Sequence, residues 1–389
     1  MVAEGFTKGR KAGDKIRAWG HVRCCKAFEW VISLQPRTET CRLQGMSDNL
    51  CTTRRHRKMR HLFLLLCSAL LAIPGSPALA KEKFNPAIVY LYSGSDSDRA
   101  FIDAARAGLE KAEREYGMRV QEHRMMGSEN ITAVIKRVAD SGASPIIAVG
   151  YQNVMPVLNL AERYPNTKFT VVDGLVPPLF SNVQSVSFRD NEGAFLVGII
   201  AGRTSDSGHI GFIGGMDIPL IRNFNKGYIQ GARYANPDVT VDVAMVGTRP
   251  EAWSDPDGAH ALAVKQFKSG ADVIFAAAGG SGLGVLRAAN ETGHYAIGVD
   301  TNQNGLFPGH VLTSLVKRVD IAVYDALKTS RDGKWSPGIK YLGIKEGALD
   351  YAVDQNNKTL ISEQLIEEVA TAKERIINGT ITVEAYSPK

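Results

Sequence analysis

From Pro86 onward, short runs of β-branched and aliphatic residues alternate with amphipathic stretches, and each change of period from two to about 3.6 marks a passage from strand to helix. Strands are predicted at 87–92, 118–122, 145–149, 168–172 and 183–188, separated by helices at about 98–116, 129–140 and 153–163. This is the order of βαβ units, which build a doubly wound parallel sheet. The alternation then restarts, with strands at 209–213, 240–245, 272–277 and 295–299 and helices near 219–235, 257–268 and 284–292. A strand at 311–315, a helix at 319–328, a strand near 339–344 and a long amphipathic helix at 361–377 follow. The predicted class is α/β, with two doubly wound parallel-sheet domains joined by a hinge. One lobe is expected over 85–189 plus 313–335, the other over 190–312 plus 336–389. Open sheets of this kind bind ligands at the carboxyl ends of their strands, so two that face each other make a cleft.

Before this pattern, residues 59–80 carry a different one. Arg54, Arg55, Arg57, Lys58 and Arg60 lead into an apolar run from Leu62 to Ile73, and Ala78-Leu79-Ala80 closes it as a cleavage site. The run is well short of the roughly 20 residues a spanning helix needs. It reads as a cleavable signal peptide that delivers the chain to the periplasm. Translation is expected to start at Met59, which leaves residues 1–58 as a non-native N-terminal extension. All five cysteines, Cys24, Cys25, Cys41, Cys51 and Cys67, precede Lys81, so the exported part offers no disulfide and no Cys-based metal site. Leu66 stands before Cys67 where an acylation site wants a small residue, so a free periplasmic protein is expected rather than a lipoprotein. Residues 1–80 hold 14 Lys+Arg against 5 Asp+Glu, which turns the overall +6 into 32 against 35, a net of −3, for the remainder. The basic balance is therefore no argument for nucleic-acid binding.

Polar residues that follow predicted strands carry the candidate chemistry. Ser93 to Asp98 form a polar turn into a helix, where Asp98 either caps the helix or holds a ligand hydroxyl. Tyr151, Gln152 and Asn153 follow the third strand with an aromatic face and two amides, which match a base edge because each amide presents a donor and an acceptor. Trp253 sits on a loop after the strand at 240–245 and is suited to stack on a flat ring. The run from Gly279 to Gly284 lets a backbone approach closely, but it is neither a phosphate loop nor G-x-G-x-x-G, since Val285 holds the last glycine position. Asp300 and Lys317 end neighbouring strands, where a carboxylate and an ammonium can share one ribose or form a salt bridge. No catalytic motif, metal cluster or cofactor signature accompanies them, so binding without turnover is expected, with no cofactor and no metal.

Five strings, at 211–224 (GFIGGMDIPLIRNF), 227–233 (GYIQGAR), 270–282 (GADVIFAAAGGSG), 296–303 (AIGVDTNQ) and 312–320 (LTSLVKRVD), resemble the basic membrane protein (BMP) family of ABC-transporter substrate-binding proteins. The resemblance covers about 86–383. It implies a type I periplasmic-binding-protein fold with three hinge crossings, a monomer that passes its ligand to permease subunits, and a purine nucleoside held between two aromatic rings. By position it assigns stacking to Trp253, the ribose to Asp300 and Lys317, and a backbone contact to Gly280. The family's D-K-S-F-N string appears here as Asp98-Arg99-Ala100-Phe101-Ile102, so Asp98 and Phe101 are retained while Ile102 replaces Asn. Arg106 stands near the first stacking aromatic, and the opposite face falls to Arg106, Tyr151 or Phe101. The alternatives are a ring-bearing metabolite other than a nucleoside, a receptor that signals to a kinase, a nucleoside hydrolase, or a fold-sharing transcription regulator.

Overall fold

Buried runs of Val, Ile and Ala pair in parallel and set up two sheets. The structure, a computed structural model, describes residues 84–92, 99–126 and 129–387; the extension, the export signal and Asp98 lie outside them. The N-terminal lobe is built from β1 (Ala87–Tyr92), β2 (Gln121–Met126), β3 (Ile146–Val149), β4 (Phe169–Val172), β5 (Val183–Phe188) and β11 (Gly338–Leu342). The C-terminal lobe takes β6 (His209–Met216), β7 (Thr240–Gly247), β8 (Val273–Ala277), β9 (Tyr295–Asp300), β10 (Val311–Lys317) and β12 (Leu349–Tyr351). Their orders are β11-β5-β4-β3-β1-β2 and β12-β10-β9-β8-β6-β7. Every pairing is parallel except β10 with β12.

The helices are α1 (Arg99–Tyr116), α2 (Ile131–Asp140), α3 (Val154–Ala161), α4 (Asp190–Thr204), α5 (Pro219–Ala235), α6 (Pro256–Lys268), α7 (Gly282–Thr292), α8 (Val319–Arg331) and α9 (Glu363–Ile377). The chain crosses between the lobes after β5, after β10 and after β11.

Those crossings correct the expected lobe boundaries. All of β10 stays with the C-terminal sheet, where Ser314 aligns with Gly298 of β9. β11 belongs to the N-terminal sheet, where Lys340 aligns with Val186. Residues 313–317 and 336–342 therefore trade lobes relative to the expectation, because the choice of sheet is made by pairing partners far away in the chain. β2 is displaced too: Met118 and Val120, expected in the strand, pack against the core beneath α1, while the largely polar 121–126 form an edge strand in which only Met125 is buried.

Helix α4 was not expected from the pattern. Twelve of its 15 residues are buried, so it shows no polar face and no amphipathic period. It packs on α5 at very short range, and a Cβ on Gly231 would collide with the Phe195 backbone carbonyl. Gly231→Ala is expected to force the two helices apart and cost about 3 kcal/mol, in the manner of an overpacked core. An unchanged urea midpoint would show the contact to be more yielding than this.

Candidate functional site

The facing carboxyl ends of the two sheets enclose a cavity of about 430 Å³, within the roughly 300–1,000 Å³ usual for small-molecule sites. Phe101, Ile102, Tyr151, Gln152 and Asp173 line it from the N-terminal lobe, and Leu220, Phe224, Trp253, Asp300 and Lys317 from the C-terminal lobe. The walls are mostly apolar. Asp173, Asp300 and Lys317 bring charge to the cavity, as does Glu251 from the Trp253 turn.

The carboxylate cluster is organised around Lys317, the last residue of β10. Its side chain is 1% exposed, with Nζ 2.6 Å from Asp173 Oδ1 and 3.0 Å from Asp190 Oδ1. The Phe188 and Phe224 rings lie 4.7 and 5.2 Å from the ammonium, within cation–π range. Burial works against the charged ammonium, but Asp173, Asp190 and Asp300 outweigh it and hold its pKa above the ordinary lysine value. Burial likewise pushes the Asp190 carboxyl up to about 7, against the attraction of Lys317 and with repulsion from Asp173 added. Neither Asp190 oxygen meets hydrogen-bond geometry with any group, Lys317 included, so the contact is an ion pair without a directed bond. Three carboxylates around one ammonium leave excess negative charge on largely buried groups. A proton on Asp190 is the cheapest relief.

Asp173 and Asp300 have φ of 62° and 68°. They are the only non-glycine residues with positive φ among the described residues. Strain of this kind, at about 1–3 kcal/mol each, concentrates where a site over-determines the backbone, and Asp enters the left-handed region more readily than most residues. Both aspartates sit where a β strand ends, β4 for Asp173 and β9 for Asp300, so the turn re-aims each carboxylate into the cleft.

Trp253 ends a short turn, Pro250–Trp253, after β7. The buried hydroxyl of Ser281 donates to the Ala252 carbonyl at 2.8 Å and accepts from the Asp255 N–H at 2.7 Å. This ties the tryptophan loop to the turn Gly279–Ser281 that opens α7. Trp253 also meets Tyr151 across the cleft, with ring centroids 5.9 Å apart at 53°.

Phe101, Tyr151, Trp253, Asp300 and Lys317 are thus brought to one cavity. Three expected residues are not. Arg106 does not line the cavity; it is held by carboxylates instead, its Nε 3.0 Å from Glu122 on β2 and its Nη2 3.5 Å from Glu110 one turn along α1. Asn153 is fully buried, and its amide N–H groups donate to the carbonyls of Val149 at 2.8 Å and Gly150 at 3.1 Å, so it braces the turn that presents Tyr151. Gly280 is buried within its turn, and Gly279 beside it reaches the cavity wall. Conversely, Asp173 obeys the strand-end rule that singles out Asp300 and could have been found by it, whereas Asp190 had no signal because its helix shows no period.

Residues 86–387 match the family model described as Bmp, ABC transporter substrate-binding protein PnrA-like. Among curated proteins the chain is similar to basic membrane protein A1 of Borrelia garinii subsp. bavariensis, with 30% identity over 84% of this chain and 96% of that protein. It is also similar to an uncharacterized lipoprotein of Pyrococcus abyssi, 31% identical over 69% of each. Among solved structures it is similar to an ABC transporter solute-binding protein of Aeropyrum pernix K1, with a TM-score of 0.70 and 27% identity over 78% of this chain and 94% of that one.

Proposed function

Because the chain belongs to the Bmp, PnrA-like family of ABC transporter substrate-binding proteins, we propose that it captures a nucleoside, a purine nucleoside above all, in the interlobe cleft and delivers it to the permease subunits of an importer. The observation that carries this reading is that Asp300 and Lys317 end adjacent strands and line the same cavity as the Phe101 and Trp253 rings. Vicinal ribose hydroxyls donate to the Asp300 carboxylate. An ammonium has three N–H donors; Asp173 accepts one, and Asp190 balances the charge without a directed bond, which leaves donor capacity for a ribose oxygen.

The base lies against Trp253, with Phe101 the better second wall. Tyr151 is already in ring contact with Trp253, at a separation too small and a tilt too large to admit a flat ring between them. Stacking on an aromatic face contributes about 1–3 kcal/mol per base. Ligand contacts from both lobes favour the closed form, so capture and hinge closure are linked. The chain acts by binding, without turnover, as a monomer. It works outside the cytoplasmic membrane after export by the segment at 59–80, and a relative named a lipoprotein makes an acylated form the competing mode of retention. Among the described residues, no helix is long and apolar enough to cross a membrane.

Trp253 and Trp335 are the only tryptophans after residue 80, and Trp335 is held apart from the cavity by its bond to Thr170 Oγ1 at 2.9 Å. A Trp335→Phe protein titrated with inosine, adenosine, guanosine, uridine, the free bases and ribose is expected to show saturable emission changes with purine nucleosides. No change in emission and no thermal shift with any nucleoside would rule the reading out. Chromatography of the recovered ligand should show it intact; free base would point to an enzyme.

A further inference from the structure

Beyond the ligand contacts themselves, one hydroxyl joins the two lobes at the cavity. Tyr151 comes from the N-terminal lobe, at the start of the turn Tyr151–Asn153 after β3. Its oxygen accepts from Trp253 Nε1 at 3.2 Å and donates to Met216 Sδ at 2.8 Å, and both of these partners belong to the C-terminal lobe. Both capacities of the phenol are used across the cleft, and the indole's single N–H is used as well.

The far side of Trp253 is also set. A Cβ on Gly215 would press into the six-membered edge of the indole, so the ring lies on the β6 backbone where only glycine leaves room. The indole is therefore pinned by Gly215 behind and by Tyr151 at its N–H, while the cavity beside it stays open.

We propose that Tyr151 is a positioning residue for recognition, a latch whose hydroxyl draws the lobes together and orients the Trp253 indole before ligand arrives. The proposal rests on the reading that Trp253 is a stacking wall, but its first test needs no ligand. A latch of this kind raises the population of the binding-competent form, and apparent affinity scales with that population.

Tyr151→Phe keeps the ring and deletes both bonds. In a Trp335→Phe background without ligand, this variant is expected to show red-shifted Trp253 emission, greater quenching by acrylamide and a larger radius of gyration by small-angle X-ray scattering, with unchanged far-ultraviolet circular dichroism. Purine nucleoside titration should then give a Kd weaker by about 5- to 150-fold, the range that follows from removing two ordinary hydrogen bonds from the closed form. A residue that merely supports the fold would lower the unfolding midpoint and leave emission and radius unchanged in the folded protein; that result overturns the proposal. Should Tyr151→Phe fail to fold, Met216→Leu carries the test. It keeps the volume, removes the acceptor, and must move the ligand-free emission and radius in the same direction. If no nucleoside binds, the emission and radius measurements still decide the latch.

Discussion

Replacing Lys317 with Met is expected to lower the unfolding free energy by about 3–5 kcal/mol at pH 8, since breaking a buried ion cluster strands the remaining charges. Asp173 and Asp190 would be left buried without their shared counter-charge, with Asp300 nearby. The loss should shrink as the pH falls toward 5. In the parent protein the folded Asp190 carboxyl is already raised to about 7, and without the ammonium it rises further. A carboxyl raised in the folded state gives stability that is fully present below its unfolded pKa, near 4, and is lost as pH climbs through the folded value. The variant should therefore be most stable in mild acid, and urea denaturation at pH 5, 6.5 and 8 measures the slope. A pH-independent loss would mean that Lys317 contributes through packing against Phe188 and Phe224 instead of charge. Asp190→Asn serves as the control, because it removes the titrating group and should flatten the parent's profile between about pH 4 and 7.

Asp300→Asn is expected to weaken purine riboside binding by about 10- to 100-fold, the range for losing a charged hydrogen-bond acceptor. Asparagine is the right replacement because position 300 has a φ of 68°, which Asn tolerates and alanine does not. Binding of the free base and of a 2′,3′-dideoxy analogue should change little. Isothermal titration of riboside and free base with parent and variant supplies the comparison. Equal losses for both would remove Asp300 from the ribose and place its effect in the shape of the turn after β9.

The same two positions show how much of the site was legible. Asp300 and Lys317 follow from strand ends alone, and Trp253 from a loop after a strand, because the carboxyl-end rule applies before any contact is known. Arg106 and Asn153 satisfy comparable local criteria and face elsewhere. Arg106 is captured by Glu122, which is 16 residues away and on another element, and Asn153 by the carbonyls of its own turn. Spacing cannot decide between a ligand and a nearer protein partner. Asp190 was beyond reach for another reason, since α4 is buried on nearly all sides and its sequence carries no period.

By itself the sequence determined the α/β class, the two successive doubly wound units, most strand and helix positions, and the family through strings in both halves. These follow from local periodicity and from residue identities at strand ends, which need no knowledge of what lies across the cleft. Only the tertiary structure decided that β10 and β11 sit in opposite lobes, that three aspartates surround Lys317, and that Tyr151 meets Trp253 and Met216 between the lobes. Each of these is a choice among partners separated by tens to more than a hundred residues. It is settled by pairing, burial and charge compensation in three dimensions, which no single stretch of chain encodes.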